Sequence, residues 1–195
     1  MASEDKPVTD LNPVPPRESF SGWRDRLSHL QTFAIAIVLA LLLRIFVAEP
    51  RYIPSDSMFP TLKIGDRVVI EKISYNLHPP QRGDIVVFSP PPQLQRQGYK
   101  PDQAFIKRII GEAEHTVSVR NQQVYIDDQA LPENYIAEAP AYDLDTLPIP
   151  PQTVFVMGDN RNNSNDSHIW GVLPNKQIIG RAIFRFWPLN RIGWV

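Results

Sequence analysis

From Phe33 to Leu43 the chain reads FAIAIVLALLL, an unbroken apolar run; Arg44 intervenes, and Ile45 to Ala48 are apolar again. The span from Leu30 to Ala48 approaches the ~20 residues that carry a helix through a bilayer. Its two helical faces are equally apolar, which argues against a helix buried on one side of a soluble domain. A cleaved leader wants small residues one and three positions before the cut, and Ala48 is small but Phe46 is not. A single transmembrane helix over 29–48 is therefore expected, with Arg44 near its end, where a long side chain snorkels to the headgroups. Arg24 and Arg26 precede the span and put the amino terminus in the cytoplasm. Residues 1–28, polar and proline-bearing at the start, are expected as a disordered cytoplasmic tail. Residues 49–195 would then form an extracytoplasmic domain.

That domain has a different texture. Short runs rich in branched and aromatic residues recur at 66–75, 83–89, 104–110, 115–120, 123–127, 153–159 and 178–187, broken by turn residues. No strong amphipathic helix is evident, so the expectation is a mainly β fold, a barrel or sandwich. Two proline-laden loops, 89–103 and 137–152, interrupt it. Near the carboxyl terminus, Phe184 and Phe186 alternate as core residues would, and Trp187 and Trp194 are candidates for a membrane interface.

Composition excludes several chemistries. The chain has no cysteine, which removes disulfides, thiol catalysis and thiolate metal sites. Twenty Lys and Arg stand against twenty-one Asp and Glu, so no basic excess advertises a nucleic-acid partner.

Directly after the apolar span comes YIPSDSMFPTL, residues 52–62, with Ser55 and Ser57 held between Pro54 and Pro60. A serine hydroxyl is a weak nucleophile until a base takes its proton. His29, His78, His115 and His168 are available, and His168, beside Asp166 and Ser167, makes a Ser-His-Asp site a live alternative. The nucleophile-elbow pattern G-x-S-x-G is missing. Lysine is the other base, provided that desolvation makes its proton labile. In AFIKRII (104–110), period-two alternation puts Phe105, Lys107 and Ile109 on one face. Burial there would lower the Lys107 pKa from ~10.4 toward ~7–8, whereas an exposed lysine on an edge strand is the plainer reading. The neighbouring Arg108 stays charged at any working pH. A third stretch, MGDNRNNSNDSHIWG (157–171), packs Asp, Asn, Ser and Arg161 into one hydrogen-bonding knot. Counted from Asp159 it fails the calcium-loop pattern: Arg161 stands at position three in place of an oxygen ligand, Ser164 at six in place of glycine and Trp170 at twelve in place of glutamate. A purely structural set of turns is its plain alternative.

Taken together, IPSDSMFPTLKIGDRVVIEK, FIKRIIG and GDNRNNSNDSHIWGVLP resemble, in order, the three signature boxes of type I signal peptidases. These are membrane-bound serine proteases that remove signal peptides from exported preproteins. The resemblance implies a signal-peptidase-like β-barrel or sheet catalytic domain behind one amino-terminal transmembrane helix. It further implies Ser57 as nucleophile and Lys107 as general base, Ser55 as an oxyanion helper beside the Ser57 N–H, and Ser164 as the hydroxyl orienting the lysine. Asp159, Arg161 and Asp166 match structural members of the third box, with Arg108 as partner for Asp159. Substrates would be preproteins with small residues one and three positions before the cut, received in shallow apolar pockets formed by Ile53, Met58 and the 83–88 strand. No metal or organic cofactor is implied, and a monomer on a lipid bilayer is expected, its domain on the periplasmic or thylakoid-lumen side. Two positions depart from the pattern: Asp56 replaces a common glycine, and His168 replaces a common arginine. Rival readings are a self-cleaving Ser/Lys protease and a catalytically inactive, membrane-tethered β module that binds exported chains.

Overall fold

The computed structural model describes residues 21–195, with the side chains of 21–25, 27 and 43–46 outside that description. Helix α1 runs over Ser21–Phe46, so residues 21–28 of the expected tail are helical, and the rest of that tail lies outside the described residues. No proline stands between Pro16 and Pro50, and Arg, Leu and Gln in this stretch are good helix formers. The described side chains of Ser28 to Leu42 are exposed. Among the described residues no helix is long and apolar enough to cross a membrane. Residues 43–46 of the expected 29–48 span fall outside the side-chain description. The chain separates into two compact units between Leu41 and Leu42.

The second unit is built of antiparallel strands: β1 (Ala48–Tyr52), β2 (Arg67–Glu71), β3 (Ile85–Phe88), β4 (Phe105–Gly111), β5 (Thr116–Arg120), β6 (Gln123–Ile126), β7 (Gln129–Ala130), β8 (Leu144–Pro148), β9 (Thr153–Met157), β10 (Leu173–Pro174), β11 (Ile178–Trp187) and β12 (Gly193–Trp194). Three short helices, α2 (Ser74–Leu77), α3 (Pro92–Arg96) and α4 (Ser167–Trp170), sit between strands. The larger sheet runs β1-β2-β11-β3-β4-β9-β10, with β12 added to β11; the smaller runs β7-β6-β5-β8. Among the described residues no ladder joins β1 to β10, so the larger sheet is open and not a hydrogen-bonded barrel.

Alternation along the central strands explains why their sequence looked uniformly apolar. On β3, Ile85 and Val87 join a cluster with Met58 and Leu62, while Val86 and Phe88 join another with Ile109 and Trp170. On β9, Val154 and Val156 enter that second cluster, and Phe155 and Met157 enter a third with Ile110 and the β5–β6 valines. Both faces are buried, so both residue parities must be apolar. The seven expected strands all form. Those not foreseen are edge or very short strands. β8 lies within the 137–152 loop, pairs only with β5, and ends at Pro148, which an edge strand tolerates. Among the described residues β1 likewise pairs only with β2, so Pro50 meets the same condition.

Phe184 and Phe186 correct the expectation for β11: both are half-buried and outside the core clusters. Phe184 packs edge-on against Trp194 at 5.2 Å between ring centres, and Trp194 is 80% exposed.

Candidate active site

The segment between β1 and β2 carries Ser57, and its two ends are stitched together. Ile53 N–H donates to the Asp66 carbonyl at 2.9 Å and Gly65 N–H to the Ile53 carbonyl at 3.0 Å. Gly65 takes φ +94°, which an L side chain rarely adopts. Met58 and Leu62, both fully buried, anchor the segment in the core from one turn, Leu62 N–H donating to the Met58 carbonyl at 2.8 Å. Burying a side chain of that size contributes ~1.5–3 kcal/mol. Ser57, between an exposed Asp56 and a buried Met58, is itself 8% exposed.

Lys107 comes to the same point from β4. It sits opposite Val86 of β3, and Phe105 and Ile109, two residues to either side, pack in one apolar cluster with Val86. Only 3% of Lys107 is exposed. Its Nζ donates to Ser57 Oγ at 2.8 Å and to the Ile106 carbonyl at 3.0 Å. Burial among apolar neighbours lowers its pKa from 10.5 to about 8; the carboxylates of Asp166 and Asp159 oppose that fall without cancelling it. An amine that loses its proton near pH 8 can accept one from a hydroxyl at this distance. Ser55 Oγ lies 3.5 Å from Ser57 Oγ. Among the described residues the Ser57 N–H makes no hydrogen bond.

The third stretch braces this pair. Asp159, fully buried, takes Arg108 Nε at 2.8 Å, Arg108 Nη2 at 2.7 Å and Thr61 Oγ1 at 2.5 Å. Gly158 N–H donates to Asp166 Oδ2 at 2.8 Å, and Arg161 Nε donates to the Gly158 carbonyl at 3.1 Å. Arg161 is buried and forms a two-pronged bond with Glu133, at 2.5 and 2.6 Å. Tyr135 hydroxyl donates to the same carboxylate at 2.7 Å, and its ring faces the Arg108 guanidinium at 4.2 Å. Glu133, Tyr135 and Thr61 were not singled out from the sequence. The first two lie in LPENYI, a stretch without strand or helix period that carries no chemical signature.

Two sites differ from the sequence reading. Ser164 Oγ is buried beside Gly158 without a hydrogen-bond partner, so it does not bond the lysine here. His168 Nδ1 meets Asp166 Oδ1 at 2.7 Å, and its ring stacks on Tyr142 at 4.1 Å. Among the described residues, Ser57 Oγ is bonded by Lys107 and Ser55 and not by His168, so a Ser-His-Asp relay is not assembled. A groove of about 200 Å³ is lined in part by Tyr52, Ile53, Pro54, Val87, Phe105 and Ile106, residues flanking Ser57 and Lys107 in sequence or on β3. Ile53 and Val87 were expected there; Met58 is not among its walls because its side chain is spent in the core.

A model of the family described as signal peptidase, peptidase S26, matches residues 26–187, most of this chain. The chain belongs to the signal peptidase family. It is a peptidase of the signal peptidase I type. A probable signal peptidase I-1 of Synechocystis sp. is 58% identical over 182 residues, covering 93% of this chain and 90% of that protein. A probable thylakoidal processing peptidase 2 of Arabidopsis thaliana is 41% identical, covering 89% of this chain and 48% of its own length. A solved signal peptidase I from Enterococcus faecalis is 30% identical, covering 53% of this chain and 97% of that one, with a TM-score of 0.45.

Proposed function

We propose that this family member is a membrane-anchored endopeptidase that removes signal peptides from exported preproteins through a Ser57–Lys107 pair. The observation that carries the reading is the 2.8 Å contact between a buried, easily deprotonated amine and a buried hydroxyl. Neutral Lys107 takes the Ser57 proton as Oγ attacks the scissile carbonyl carbon. The carbonyl oxygen becomes an anion, facing the Ser57 N–H and the Ser55 hydroxyl. One such donor is worth ~2.7–4 kcal/mol in the transition state. The Lys107 ammonium then returns its proton to the leaving amine, and an ester on Ser57 remains. Water, deprotonated by the same amine, attacks the ester and frees the acid. Arg108, Asp159, Arg161 and Asp166 act by holding the two reacting side chains in register.

The groove lined by Ile53, Pro54, Val87, Phe105 and Ile106, from the segment before Ser57 and the strands β3 and β4, suits small apolar side chains on the acyl side of the cut. Residues 29–48 serve as the anchor, with the amino terminus in the cytoplasm and the catalytic unit facing the periplasm or thylakoid lumen. The test is cleavage of a model preprotein by the full chain in detergent. Wild type should release the mature protein, and Ser57→Ala and Lys107→Ala should each lose turnover; no cleavage by wild type would return the inactive-module reading, and unchanged cleavage by Ser57→Ala would remove Ser57 as the nucleophile. Protease added to the cytoplasmic face of sealed vesicles should leave residues 49–195 intact, and their digestion would reverse the topology.

A further inference from the structure

Asp56 stands between the two serines of the nucleophile segment, where the resemblance leads one to expect glycine. Its φ lies outside the left-handed region, so the backbone there does not require glycine. The side chain has a partner: Asn163 Nδ2 donates to the Asp56 carboxylate, 3.3 Å from each oxygen. Two further bonds flank it. Asn160 Nδ2 donates to the Asp56 carbonyl at 3.2 Å, and Asn160 N–H donates to the Ser57 carbonyl at 3.1 Å. Asn160 and Asn163 belong to one turn, closed by Asn163 N–H on the Asn160 carbonyl at 3.0 Å. The nucleophile segment is therefore gripped from outside by a single turn, at the residue before Ser57 and at Ser57 itself.

The same turn is held on its other side by the proline-rich segment 137–152. Ala141 N–H donates to Asn162 Oδ1 at 2.8 Å, and Asn162 Nδ2 donates to the Ala139 carbonyl at 3.0 Å. Asn162 and Asn163 thus point to opposite neighbours, one to the strap and one to the segment carrying Ser57.

We infer that Asp56 is a positioning residue, which with Asn163 fixes the rotation of the nucleophile segment about Ser57, and that the 137–152 segment acts as the strap holding Asn163 in place. The inference rests on the proposed role of Ser57. Met58 and Leu62, both fully buried, pin the segment from the core side, and the Asn160–Asn163 turn holds it from the solvent side. Reaction at a misaligned nucleophile falls steeply, by as much as ~100-fold for a 1 Å displacement. Asp56 and Asn163 are exposed, so removing them disturbs no packing.

The test is steady-state cleavage of a model preprotein by the full chain carrying Asp56→Ala, Asn163→Ala, both together, and the exchange Asp56→Asn with Asn163→Asp. Asp128→Ala, which removes an exposed carboxylate elsewhere, serves as control. Asp56→Ala and Asn163→Ala should each lower kcat by about 5- to 30-fold with KM unchanged and melting temperature preserved. The double variant should be no worse than either single one, because both remove the same contact. The exchange variant should recover most of the rate. Wild-type kcat in Asp56→Ala, additive losses in the double variant, or failure of the exchange to recover the rate would overturn the inference. If Ser57→Ala in the same assay retains activity, the failure belongs to the proposed nucleophile and not to Asp56.

Discussion

Lys107 Nζ and Ser57 Oγ are fifty residues apart in sequence and 2.8 Å apart in space. Neither would be useful alone, since an exposed lysine stays protonated at neutral pH and an unassisted serine does not attack amides. β4 sets the amine among apolar side chains, and the tied segment after β1 delivers the hydroxyl to it. The cost of that placement falls on stability and its benefit on chemistry, so the two can be measured separately.

The stability side is tested by Lys107→Met, which keeps the length and removes the charge. The folded-state pKa, about 8, lies below the unfolded value of 10.5. Between those values the unfolded chain binds more protons, so wild-type stability rises with pH across that window. Below pH 8 the burial penalty is at its full size, on the order of 3 kcal/mol. Denaturant unfolding should find the variant more stable than wild type by about 2–3 kcal/mol at pH 6–7. The difference should fade as pH approaches 10.5. A variant less stable than wild type at pH 6 would contradict the buried-charge reading.

Glu133→Ala tests the brace. It leaves the Arg161 guanidinium buried without its carboxylate, and removing one partner of such a pair costs about 3–5 kcal/mol. The expected result in chemical denaturation is a loss of that size, with Glu133→Gln, which keeps one acceptor oxygen, losing less. A loss below about 1 kcal/mol for Glu133→Ala would mean that Arg161 finds water or another acceptor.

Gly158→Ala tests the closeness of β9's end to the nucleophile. An added methyl would run into the Ser57 carbonyl and Ser164 Oγ, and would lie 2.6 Å from Ser164 Cβ. The obstacle is partly backbone, so the segment carrying Ser57 must move. Turnover should fall at least about tenfold, with destabilisation of about 1–3 kcal/mol. Wild-type turnover would show that the segment yields without harm.

How far the sequence revealed these relationships depends on what each one rests on. Ser57 between prolines and Lys107 inside an apolar run were each conspicuous, but periodicity alone favoured an exposed edge-strand lysine, and only the resemblance of the three boxes paired the two. The central strands were legible because burial on both faces forces unbroken apolar runs. Glu133 was not, because a lone glutamate in a loop looks like any solvated charge until Arg161 is placed against it. β8 was hidden by Pro148 and the prolines around it, and its edge position tolerates Pro148. His168 looked like a candidate base from its neighbours in sequence, yet its ring nitrogen is committed to Asp166 and its face to Tyr142.

The direct test of the central claim is the pH dependence of kcat/KM for preprotein cleavage, which reports ionisations of the free enzyme. If neutral Lys107 takes the Ser57 proton, the rate constant should climb as the amine deprotonates, follow an apparent pKa near 8, and level off above it. The profile should keep that midpoint in His168→Ala. A rate that climbs only above pH ~10, the range of an ordinary lysine, would contradict the account. So would a midpoint near ~6.5, the range of histidine, that disappears with His168.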